Sequence, residues 1–240
     1  LFLLHLSSVA NNLTGTIPLE FGYLEDVTTI GLENHKGLRG SFPDTIGNMV
    51  RLNSFNVIFA GPDLGGPIPP SLFSIPSLKY ITLYYNEGDW EFPEVIDLGE
   101  KESLLEALQL AHGGLTGMIP AYISEFKNLV NLDLAKNSLE GAIPDSFGGL
   151  VSLEYLNLHG NKLNGTLPQS LGMLSNLTAL AVGENDLRGK LPPQLGELSK
   201  LRLLVLSNNK FTGPIPDEFS KLSALEIFSV QHNNLNGSIS

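Results

Sequence analysis

The feature that most constrains this chain is a period. Nine of its prolines are Pro18, Pro43, Pro69, Pro93, Pro120, Pro144, Pro168, Pro192 and Pro216, spaced 25, 26, 24 and 27 residues apart and then 24 four times. Each follows Ile, Leu or Phe. Glycine stands two residues before that apolar position nine times, at Gly15, Gly40, Gly66, Gly117, Gly141, Gly165, Gly189, Gly213 and Gly237, and the fourth unit alone puts Trp90 there. A unit of this length cannot close a core by itself. Units must stack so that each covers the apolar face of the next.

The segment LEYLNLHGNKLNGTLPQ, residues 153–169, shows one unit clearly. It reads L-x-x-L-x-L-x-x-N-x-L-x-G-x-L-P. Ten such units start at Leu3, Val27, Leu52, Leu78, Leu105, Leu129, Leu153, Leu177, Leu201 and Leu225. The L-x-L alternation predicts a short strand with its leucines inward. The asparagine predicts a buried amide that pairs backbone groups where the strand bends. Seven units keep it, at Asn11, Asn86, Asn137, Asn161, Asn185, Asn209 and Asn233, while units two, three and five carry His35, Ala60 and Gly113. The glycine suits a turn of unusual φ, and the proline sets φ on the way to the back of the coil.

With its 24-residue repeat and G-x-[IL]-P extension, the chain resembles plant-type leucine-rich repeat proteins, found among receptor-like kinase ectodomains and polygalacturonase-inhibiting proteins. The resemblance runs over essentially all 240 residues. It implies a repeat solenoid, a right-handed leucine-rich-repeat superhelix with a parallel concave sheet and a convex side of turns and 3-10 pieces. Residues 1–240 are expected to be a single domain of about ten repeats, the first and last incomplete. Cys-paired caps are usual in this group, and the chain has no cysteine; it is expected to be a piece of a longer protein. The opening LFLLHLSSVA is read as repeat rather than leader, because Leu3, Leu6 and Asn11 fall in register.

Charge narrows the partners. The 14 basic and 25 acidic residues leave a net charge of −11. Nucleic acid and anionic lipid are disfavoured, since both need a basic face. A basic partner is electrostatically easy. No apolar run approaches the roughly 18 residues of a membrane helix, so no membrane span is expected here.

Strand positions three, five, seven and eight should line the concave face or its edge. The expected ligand or partner contacts are Asn56, Ile58, Phe59, Tyr80, Thr82, Tyr84, Tyr85, Gln109, His112, Asn131, Asp133, Tyr155, Asn157 and His159. Aromatics gather on units three and four, and exposed aromatics anchor interfaces. They also stack on sugars, so a glycan is an open alternative to a protein or peptide. Phe59 and Tyr85 have a second reading, as inward plugs of irregular coils. Beside them lies an irregular stretch, EGDWEFPEVIDLGEKES, with the only tryptophan and many acids.

Enzymatic activity is not expected. No nucleophile elbow, P-loop or H-E-x-x-H motif occurs. His112 and His159 lie two coils apart, about 10 Å at strand spacing, too far to share a metal. No metal and no cofactor are expected. The sequons at Asn12, Asn164, Asn176 and Asn236 are glycosylation candidates in a secretory setting, and the family resemblance implies an extracellular or cell-surface location. The leading function is a recognition module similar to a receptor-like ectodomain. The alternatives are a secreted inhibitor of a wall-degrading enzyme and a structural subunit of a larger assembly.

Overall fold

The alternating leucines form strands, one per coil, as the pattern requires. The computed structural model describes residues 5–86, 88–99 and 102–237. The expected start of coil 1 at Leu3, and Glu87, Glu100 and Lys101 of the irregular acidic stretch, lie outside them. The chain divides into two compact units, Leu1–Thr116 and Gly117–Ser240.

In the first unit, parallel strands His5–Val9, Thr29–Glu33, Ser54–Ile58, Tyr80–Tyr84 and Ala107–Gln109 pair in register. Ile30, Phe55, Ile81 and Leu108 follow one another along one inward row, all buried. In the second unit, Asn131–Asp133, Tyr155–Asn157, Ala179–Ala181, Leu203–Val205 and Ile227–Ser229 do the same, with Leu132, Leu156, Leu180 and Leu204 fully buried in a row. Each unit is a leucine-rich-repeat solenoid. Opposite the strands, the back of each regular coil is a short 3-10 helix, as in Gln169–Met173 and Pro193–Glu197.

The asparagines form the expected amide column. In the second unit, Asn161, Asn185, Asn209 and Asn233 each donate from Nδ2, at 2.9 Å, to a carbonyl 27 residues back: Leu134, Leu158, Val182 and Leu206. Each Oδ1 accepts from the backbone N–H 22 residues back, at 2.9–3.0 Å. One side chain thus pairs two backbone groups of the preceding coil. His35 stands in for the asparagine of coil 2. It is fully buried, with Nε2 3.0 Å from Ser8 O, also 27 residues back, and Nδ1 against Asn11 O.

A second glycine row lies on the back. A Cβ on Gly148, Gly172 or Gly196 would sit 2.6, 2.4 or 2.3 Å from a carbonyl oxygen of the next helix. Only glycine permits helices this close. Coil 3 has Phe73 at this position, its helix is α rather than 3-10, and no helix forms in the described part of coil 4 after Pro93. The extra residues between Pro93 and Leu105 leave a cleft there, lined by Phe73, Ile75, Pro76 and Leu98.

Trp90 is not a surface residue of the irregular stretch. Gly88 takes the place of its coil's inward leucine, and Gly113 takes the place of the next coil's asparagine. The Trp90 indole fills the vacated volume, 2% exposed and stacked on Phe42 at 6.0 Å.

Replacing Asn185 by alanine strands Leu158 O and Leu163 N–H in the interior. The expected loss is about 1–3 kcal/mol; Leu156→Ala, which opens a core cavity, should lose about 2–5 kcal/mol. Urea denaturation of both variants checks this, and an unchanged midpoint for Asn185→Ala would refute the role given to the column.

Candidate functional site

At the end of each strand, one residue turns into left-handed backbone. Ala10, Asn34, Phe59, Tyr85, His112, Lys136, Glu184, Asn208 and His232 all have φ between 53° and 60°, and Gly160 completes the row at 70°. Within each unit, the repeated turn sends these side chains out along one edge of the strand face.

In coils 3 to 5 of the first unit this row is aromatic. The rings of Phe59 and Tyr85 stack at 4.7 Å and 4°, and those of Tyr85 and His112 at 4.8 Å and 28°. The spacing matches the strand separation of about 4.8 Å; the rings inherit it from the coils. Phe59 is 43% exposed and Tyr85 46%, so neither plugs the interior. Tyr84 lies beside Tyr85 at 6.0 Å. Tyr85 has both faces covered, whereas Phe59 ends the stack. The next residue outward in the row is Asn34, which is exposed.

One row in from the edge, Glu33, Ile58 and Tyr84 align across the strands. Further in lie Gly31, Asn56, Thr82 and Gln109, then Thr29, Ser54, Tyr80 and Ala107. The amide of Asn56 donates to Ser54 Oγ at 3.0 Å, and Thr82 donates to Gln109 Oε1 at 3.4 Å. Tyr80 is fixed as well. Its hydroxyl donates to Glu106 at 2.8 Å, and Lys79 holds the other carboxylate oxygen at 2.6 Å. Hydrogen bonds from Lys79 and then Tyr80 hold the Glu106 carboxyl below the usual range, and the same contacts raise Lys79 and Tyr80.

The second unit displays less. Asp133 is 8% exposed and accepts from the Ala135 N–H at 3.1 Å, so it offers little of itself to the face. Asn131 is half-buried. Tyr155 and Asn157 bond to each other at 3.1 Å. His159 sits 3.5 Å from Glu184, and burial, then nearby Lys136, lowers its pKa. Lys136 reaches Glu184 at 2.5 Å, two coils away, across the bare Gly160. A Cβ on Gly160 would stand 2.6 Å from the Lys136 stem.

The predicted residues therefore form two groups, one per unit. The aromatic group brings together Phe59, Tyr84, Tyr85 and His112; Asp133, Tyr155, Asn157 and His159 belong to the second unit. The sequence reading missed Glu106 and Lys79 as supports of Tyr80, and it missed Glu33 and Asn34 at the end of the stack. Position eight was noted as an edge position, but nothing in side-chain periodicity announces a left-handed turn. Among the described residues, no group of His, Asp and Glu is placed to hold a metal, and no helix is long and apolar enough to cross a membrane.

Charge is uneven. By sequence, residues 1–116 hold 14 of the acids and five of the bases, a net −9 of the chain's −11.

Because Glu106 has a lowered folded pKa, its contribution is present above the ordinary carboxylate value and fades as pH falls through the folded one. Glu106→Gln should therefore flatten the acid limb of thermal stability and loosen Tyr80. Melting temperatures from pH 7 down to pH 3 test this; an acid limb as steep as in the parent would contradict it.

The family model for a leucine-rich repeat region matches residues 106–237, just over half of the chain. Among solved structures, the plant peptide hormone receptor RGFR1 in complex with RGF2 is 30% identical, with a TM-score of 0.77 over 99% of this chain and 41% of its own. The leucine-rich repeat ectodomain of the Arabidopsis receptor kinase HAESA, in complex with an IDA peptide hormone ligand, is 32% identical, with a TM-score of 0.78 over 92% of this chain and 36% of its own. A plant ice-binding protein is 26% identical, with a TM-score of 0.73 over 97% of this chain and 73% of its own. The chain spans less than half the length of the two receptors. None of the curated proteins matches it. The repeat, the stacked coils and the amide column agree with the family match: the chain belongs to the leucine-rich repeat family.

Proposed function

We propose that this chain is a non-catalytic recognition module that binds a peptide or protein segment on the strand face of coils 3 to 5. The observation that carries the reading is the exposed, stacked row Phe59–Tyr85–His112 with Tyr84 beside it. Exposed aromatics held rigidly lose little entropy on binding. Asn56, Ile58, Tyr80, Thr82 and Gln109 share that face, and Tyr80 is already oriented by Glu106. Asn131, Asp133, Tyr155, Asn157 and His159 are assigned a lesser part, because the second unit offers fewer free groups. RGFR1 and HAESA were solved with peptide hormones, which supports a peptide. The ice-binding relative shares the fold, so the aromatic face, not the fold, decides this reading.

A glycan is less well supported than a peptide. Sugars stack on ring faces, and both faces of Tyr85 are covered. The acid excess of residues 1–116 favours a protein partner with a basic surface, including the target of a secreted inhibitor, as a second reading. We place the module outside the cell or at its surface. The sequons at Asn12, Asn164 and Asn236 are exposed, whereas the Asn176 amide is held by Val151 O and Lys200. On secretion the first three should carry glycan and Asn176 should not, as intact mass and peptide mapping would show. The recurrence of the same unit along the chain supports residues 1–240 acting as one domain, which should then unfold in one cooperative transition.

Selection from a displayed random-peptide library tests the binding face. Enriched peptides should lose about tenfold or more in affinity on Tyr84→Ala/Tyr85→Ala, in line with hot-spot aromatics, and little on Ile227→Ala in coil 10. Equal losses at both places, or none at the tyrosines, would defeat the proposal.

A further inference from the structure

The end of the aromatic row, at coil 2, is built differently from its middle. The strand Thr29–Glu33 shows only Thr29, Gly31 and Glu33 to the open face. Gly31 has no side chain, and a Cβ there would meet nothing closer than Ser7 Oγ at 3.6 Å. Coil 2 therefore lies low beside the higher wall of coil 3, a trough closed at its floor, where Gly31 is buried. Glu33 stands at its outer end, in register with Ile58 and so next to Phe59. It is the one carboxylate at an outward strand position of the first unit, and its side chain makes no hydrogen bond or ion pair among the described residues. Phe59 offers the trough the ring face that Tyr85 does not cover. Asn34 adds an exposed amide in the same row.

We infer that this trough is a subsite for one arginine side chain of the bound segment, its guanidinium laid on Phe59 and paired with Glu33. The inference rests on the recognition reading above and specifies part of its ligand. A planar cation can stack on a ring face and present N–H groups to a carboxylate at the same time, which an ammonium does less well. Glu33 pairs in register with Ile58, the residue before Phe59, so the two partners stand on neighbouring coils one residue out of register. The net charge of −9 on residues 1–116 draws a basic segment to this unit.

The probe is acetyl-Gly-Arg-Gly-amide, followed by amide NMR on the full chain, with the lysine and citrulline peptides as comparisons. The arginine peptide should shift the Glu33, Asn34 and Phe59 amides saturably. The lysine peptide should bind about threefold more weakly, and uncharged citrulline about tenfold. Glu33→Gln and Phe59→Leu should each weaken the arginine peptide by about threefold or more, with Glu20→Gln, an equal charge change on the back, having no effect. A citrulline peptide as good as arginine, or equal losses from Glu33→Gln and Glu20→Gln, would overturn the subsite. If library-selected peptides still depend on Tyr84 and Tyr85 while coil 2 stays silent to the probe, the subsite falls and the recognition reading stands.

Discussion

The buried amide column is the interaction on which everything else depends. A coil bends away from its strand in the interior, where water cannot reach the backbone. Each bend therefore leaves a carbonyl and an N–H that must be paired or carry a penalty of about 1–3 kcal/mol. One asparagine meets both needs, donating 27 residues back and accepting from 22 residues back. The two offsets bracket the 24-residue period of the regular coils; across the longer coil 3, Asn86 keeps the double contact with Val57 O and the Ala60 N–H at offsets of 29 and 26. Leucine burial supplies most of the favourable free energy, but it is indifferent to small slips. The amides are directional and set the register.

Departures from the period show what replaces the amide. His35 offers ring nitrogens to the same carbonyl position. At coil 5 the solution is volumetric, with Gly88 and Gly113 giving up space that Trp90 fills. These substitutions keep the interior full without keeping the pattern, and they cluster in coils 2 to 5. The aromatic row lies in the same coils.

The coil architecture was legible because its signals are redundant: leucine, asparagine, glycine and proline each repeat. Strand placement and the outward rows Ser54–Tyr80 and Asn56–Thr82 followed from alternation alone. Three things were not legible. Asp133 occupies an outward position yet is 8% exposed and bonded to the Ala135 N–H, a burial that periodicity does not contain. The missing helix of coil 4 goes with Phe73 in a position that glycine fills in coils 1, 2, 6, 7 and 8 and serine in coils 5 and 9, a steric relation between neighbouring coils. The ring stack follows from a backbone turn shared by chemically unrelated residues, from alanine to tyrosine, so no residue type marks it.

That shared turn has a consequence for how such a chain can change. Residues in left-handed backbone point away from the interior, so exchanging them leaves the hydrophobic filling untouched. The steric rule excludes branching at Cβ, and the ten positions hold no valine, isoleucine or threonine. Within that restricted alphabet the edge behaves like a keyboard whose keys can be recut one at a time. Phe59, Tyr85 and His112 are one chord on it, and new specificities are reachable by single exchanges without refitting the frame beneath.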